Sequence, residues 1–144
     1  MSWLRWNIEN PDLLIGLIRA DSVQVAPSPS ALREHMQHVV QQAAEHGVES
    51  SVRAAIRDLL RRGGYKPSGR NKPSSEFLLR SANQGTWPEV NVVVDINNMA
   101  SVQTGWPCSV VDVEKIRGSR SCVWDSTKSD LFSINLAKPS TLRG

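Results

Sequence analysis

Residues 93–112 read VVDINNMASVQTGWPCSVVD, an apolar run punctuated by Asp95, Asn98, Gly105, Pro107 and Asp112. The β-branched residues Val92, Val93 and Val94 predict a short strand, and Asp95 carries the carboxylate of an N-cap for a helix over Ile96 to Thr104. Gly105 stops that helix, and Pro107 forbids its continuation. A second apolar run, Cys108 to Val111, predicts another strand ending on Asp112. The unit thus reads strand, cap, short helix, turn, strand, with two carboxylates and an asparagine at its joints.

Upstream of this stretch the pattern is helical. Leu32, Met36, Val39, Val40 and Ala43 recur on one face of a helix expected over Ala31 to Glu45, which Gly47 ends. A second helix opens near Ser50 and is expected to bury Val52, Ile56, Leu59 and Leu60 before Gly63 and Gly64 stop it. The loop Tyr65 to Lys72 leads to a third helix, Ser74 to Asn83, with Phe77, Leu78 and Leu79. Strands are expected at the two ends: Leu13 to Arg19 and Val23 to Ala26 around an Asp21-Ser22 turn, then Ser121 to Trp124 and Leu131 to Leu136. Helices in the middle and strands at both ends predict an α+β fold rather than alternating βαβ units.

A chain of 144 residues with 40% hydrophobic and 22% charged residues fits one globular domain, 1–144, and excludes a generally disordered chain. No apolar stretch reaches the length of a membrane span, and residues 1–10 lack a signal-peptide layout, so no membrane partner and a cytoplasmic location are expected. Cys108 and Cys122 fall on expected strands and read first as buried thiols, with a disulfide as the competing use. His35 and His38 lie three apart on the first helix, but no third ligand accompanies them, and a solvated face is the simpler account. No metal or cofactor is expected.

The net charge of +3 is unevenly spread. Residues 1–50 carry a net −3, residues 51–80 a net +6, and residues 81–144 balance. Arg53, Arg57 and Arg61 are spaced four apart and line one helical face beside Arg62, and Lys66, Arg70, Lys72 and Arg80 continue the basic run. Such a run is either a solvated surface or a phosphate-binding one, since Arg and Lys on a rigid helix can follow an RNA backbone without reading its sequence. Tyr65 can stack on a base or simply pack at its helix end.

The D-x-x-N of Asp95 and Asn98, the G-x-P of Gly105 and Pro107, and the closing Asp112 stand at the spacing found in the B3/B4 domain of the phenylalanyl-tRNA synthetase beta chain, which the chain resembles. Arg57 to Glu76, RDLLRRGGYKPSGRNKPSSE, followed by FLLR, is similar to the segment that free-standing B3/B4 proteins carry just before this unit. The likeness runs from about Pro11 to Asn135, with diagnostic motifs between Arg57 and Asp112. It implies a layered B3/B4-like domain in which helices pack on a strand sandwich. Free-standing members continue further, so the chain is expected to lack the family's last strands. Unpaired edges would then call for a second copy or a partner chain.

In the synthetase that domain hydrolyses the ester of wrongly charged tRNA, chiefly a tyrosyl ester. The resemblance therefore implies RNA as the partner, tRNA above all, bound through Arg53, Arg57, Arg61, Arg62, Lys66, Arg70, Lys72 and Arg80. It also leaves open aminoacyl-tRNA deacylation in trans, with no synthetase catalytic core present, or a non-catalytic fragment that depends on a partner. Ester hydrolysis needs an amino-acid pocket, a held water and donors for the oxyanion. Glu76, Asp95, Asn97 and Asn98 are the pocket candidates. Each has a competing structural use: Asp95 as a cap, Asn98 in a turn, and Glu76 at the positive end of its helix.

Overall fold

The computed structural model describes residues 5–7, 13–62, 64–115, 121–123 and 133–134. Four helices dominate them: α1 (Ser30–His46), α2 (Ser50–Arg62), α3 (Ser74–Asn83) and α4 (Val92–Thr104). The chain divides into two compact units, one of residues 16–58 and 67–110, the other of residues 1–15, 59–66 and 111–144.

In the first unit α1, α3 and α4 pack on one another pairwise. The apolar face expected on α1 supplies Met36, Val39 and Ala43, α3 adds Leu78 and Ala82, and α4 adds Met99 and Val102, all buried. Leu32, Val40, Leu79 and Trp87 close over this cluster. Trp87 brings its indole Nε1 into the interior with no hydrogen-bond partner. Burying each of the larger side chains contributes about 1.5–3 kcal/mol, which makes this three-helix contact the main source of stability in the unit. Helix α2 has no fully buried residue: its expected buried positions Val52, Ile56, Leu59 and Leu60 are all only half-covered.

The expected strand sandwich is absent from the described residues, which are predominantly helical. Two local reasons account for it. Val92, Val93 and Val94 form the first turn of α4, because Asn91 rather than Asp95 is the N-cap: its side-chain oxygen accepts from the amides of Val93 and Val94, both at 3.1 Å. A side-chain cap at that position outweighs the modest helix penalty of three β-branched residues. Neither Leu13 to Arg19, Val23 to Ala26 nor Cys108 to Val111 enters a strand ladder. Residues 105–108 instead fold back along α4, where buried Ser101 donates through Oγ to the Trp106 carbonyl at 2.7 Å and accepts from the Cys108 amide at 3.4 Å.

Among the described residues, strand structure is confined to the second unit and is slight. Arg5–Asn7 (β1) pairs in parallel with Ser121–Val123 (β2), which pairs antiparallel with Ser133–Ile134 (β3). The last two lie inside the runs where strands were expected, but Trp124, Leu131 and Leu136, like the Cys122 side chain, fall outside the described residues. In the same unit α2 ends in a Schellman closure, with the Tyr65 amide donating to the Leu60 carbonyl at 3.0 Å and that of Gly64, at φ 78°, to the Arg61 carbonyl at 2.9 Å.

Candidate nucleic-acid interface

Within the basic run, Arg53 and Arg57 form one ion cluster with Glu76. Glu76 lies in the first turn of α3, where a carboxylate complements the positive helix end, and its side chain is only 10% exposed. Arg57 on α2 grips it with two hydrogen bonds, Nε to Oε1 at 2.6 Å and Nη2 to Oε2 at 2.7 Å. Arg53, one turn earlier, reaches Oε2 at 3.4 Å. The Arg57 hydrogen bond, reinforced by the charges of Arg53 and Arg57 against a smaller opposing effect of burial, holds the Glu76 carboxyl below its usual range. The same hydrogen bond raises the Arg57 guanidinium.

These contacts sort the expected RNA-binding residues. Arg57 is a structural clamp between α2 and α3, with its planar fork already filled by a carboxylate. Arg53 is half-engaged and exposed, Arg70 and Arg80 are exposed, and Lys72 is partly covered. Arg70 rides on a short 3-10 turn, Gly69–Asn71, closed by the Asn71 amide on the Ser68 carbonyl at 3.0 Å. Arg61, Arg62 and Lys66 are exposed in the other unit, where Arg61 and Arg62 have interactions of their own.

The four pocket candidates do not converge. Asp95 is buried and points to the N-terminal end of α4, accepting from Ser28 Oγ at 2.6 Å and from the Val90 amide at 2.9 Å. Asn97, two residues on and so on a different helix face, donates to the Cys108 carbonyl at 3.4 Å. Asn98 is half-buried on α4. Glu76 lies on α3 beside a cleft lined by Val48, Ile56, Pro73 and Leu79 together with Arg53 and Ser75, and none of Asp95, Asn97 or Asn98 reaches it. That cleft has room for about one water molecule, far short of an amino-acid side chain.

Three other residues that shape this region escaped the sequence reading. Ser28 sits in an unremarkable PSPS run and has no local signal for a partner 67 residues away. Ser101 looks like any polar residue on a helix. Asn91 was legible, because an asparagine just ahead of an apolar run is a cap signal that the valine triplet obscured. Among the described residues no group of three or more His, Cys, Asp or Glu side chains gathers to hold a metal, and no helix is long and apolar enough to cross a membrane.

No family model matches the chain, and neither a curated protein nor a solved structure is significantly similar to it.

Proposed function

We propose that this chain binds RNA, with tRNA as the favoured ligand, through the basic segment between Arg53 and Arg80. The observation that carries the reading is charge segregation: residues 51–80 hold a net +6 in a chain whose total is +3. Exposed Arg53, Arg70 and Arg80, with Lys72, supply the phosphate contacts in one unit, and Arg61, Arg62 and Lys66 supply them in the other. Arg57 contributes indirectly by fixing α2 against α3 through Glu76. The B3/B4-like motifs around Asp95, Gly105 and Asp112 favour a tRNA over other RNAs. The reading stops at binding, because Glu76, Asp95 and Asn97 are each committed to bonds within the protein.

Fluorescence anisotropy with labelled tRNA, titrated over a range of salt, tests it. The logarithm of the affinity should fall linearly with the logarithm of salt, by about 0.7–0.9 for each phosphate contacted. Unlabelled tRNA should compete better than an unstructured RNA of equal length. Binding that is absent, or that ignores salt, overturns the proposal.

A further inference from the structure

Trp106 is held by its backbone and left open at its surface. Its amide donates to Thr104 Oγ1 at 3.2 Å, and its carbonyl accepts from the buried Ser101 Oγ at 2.7 Å, so both sides of the residue are tied to the end of α4. Thr104 is fixed in turn, its hydroxyl donating to the Ala100 carbonyl at 2.7 Å. Yet Trp106 is 54% exposed, whereas Trp87 closes over the core. A tryptophan has two rotatable side-chain bonds, so on an anchored backbone it loses little freedom when a flat ligand stacks on it.

The residue before it, Gly105, lines the same cleft as Arg53. Arg53 is the loosely held cation of that cleft. Both oxygens of Glu76 are taken by Arg57, at 2.6 and 2.7 Å, and Arg53 reaches one of them at 3.4 Å with its side chain 53% exposed. The Arg53 guanidinium can therefore turn to a phosphate while Arg57 keeps Glu76 paired.

We propose that Trp106 is a stacking platform for one unpaired base of a bound RNA, with Arg53 taking a phosphate of the same stretch of strand. The inference rests on the RNA-binding reading above and adds to it a preference for strands with unstacked bases. Phosphate contacts accept any strand, but a base inside a duplex is already stacked, and an unpaired one offers its face to an aromatic ring. Trp106 lies outside the basic segment, so charge alone does not point to it.

Anisotropy with labelled tRNA, which carries unpaired bases in its loops and at its end, set beside a blunt RNA duplex, tests the proposal. Trp106→Leu should weaken tRNA binding by about 5- to 150-fold, the worth of one stacked base. Its salt slope should not change, because a ring neutralises no phosphate, whereas Arg53→Gln should lower the slope by about one unit. Trp106→Phe should recover most of the loss, since a phenyl ring still offers a face. Duplex binding and the melting temperature should not distinguish Trp106→Leu from wild type. A short single strand with 2-aminopurine moved along it should be quenched at one position when wild type binds, and a bound strand quenched nowhere overturns the proposal whatever the variants do. Wild-type tRNA affinity in Trp106→Leu overturns the platform and leaves the basic surface standing. An equal loss on tRNA and duplex overturns it too, by making the ring a support for the fold or a protein contact. A wild-type chain that binds neither RNA removes the RNA reading itself, and the platform with it.

Discussion

Gly105 and Val48 are in such close contact that a Cβ on Gly105 would overlap Val48 Cγ1. Gly105 is also the left-handed residue that closes α4, at φ 74°, with its amide on the Ser101 carbonyl at 3.0 Å. Gly105→Ala therefore meets two independent penalties. The left-handed backbone costs about 1–2 kcal/mol, and the forced shift of Val48 adds about 1–3 kcal/mol. Urea denaturation should show the sum, and Val48→Ala in the same chain should recover the second part only. Full recovery would mean that the backbone contributes nothing.

Ser28 and Asp95 tie the start of α1 to the start of α4 through a buried hydrogen bond of 2.6 Å. Ser28→Ala leaves the carboxylate with the Val90 amide alone and should cost about 1.5–3 kcal/mol, the range for a hydrogen bond to a charged group. Asp95→Ala strands the Ser28 hydroxyl and the Val90 amide together and should cost at least as much. If Asp95 were a pocket base rather than a structural bond, these substitutions would leave the chemical denaturation midpoint nearly unchanged.

The helices were legible because their signals are local. The apolar face of α1 and the bounds of α2 and α3 follow from spacing and from the glycines that end them, and the structure places them within a residue of where the pattern does. Val92 to Val94 misled because β-branched residues state a preference, whereas Asn91 supplies two hydrogen bonds that decide the outcome. The role of Asp95 was legible only in type. A carboxylate near a helix start was expected there, but its partner Ser28 is distant in sequence. Glu76 was foreseen as favouring its helix end, yet its pairing with Arg57 depends on how α2 meets α3, which no spacing reveals.

Arg57 and Arg70 separate stability from RNA binding. Arg57→Gln breaks the bidentate clamp on Glu76 and should lower the melting temperature, with a smaller effect on the salt slope of tRNA binding. Arg70→Gln touches an exposed side chain on a short turn and should leave melting within about 0.5 kcal/mol of wild type. It should reduce the salt slope by about one unit. Calorimetry and anisotropy on the same two preparations check the pair. The opposite assignment of effects would make Arg57 a phosphate ligand.

Acid sensitivity provides a further check on the Arg57–Glu76 clamp. The Glu76 carboxyl lies below its ordinary 4.5 in the folded chain, because Arg57 and Arg53 hold the ionised form. A carboxylate with a depressed folded pKa stabilises the fold in full above its unfolded pKa, and that contribution is lost as pH falls through the folded value. Wild type should therefore exceed Glu76→Gln in stability at neutral pH, and the gap should narrow from about pH 4.5 downward. Asp112 also titrates low, chiefly through the Glu114 amide and then Lys115, so some acid sensitivity persists in the variant. Arg57→Gln should remove most of the Glu76 share without touching that of Asp112. Added salt should shrink the neutral-pH gap only modestly, because the clamp is mostly covered whereas the Arg19–Asp21 pair is exposed. Thermal melts of the three chains from neutral to acid pH make the comparison. A gap that is constant with pH would show that the carboxylate contributes through packing rather than through charge.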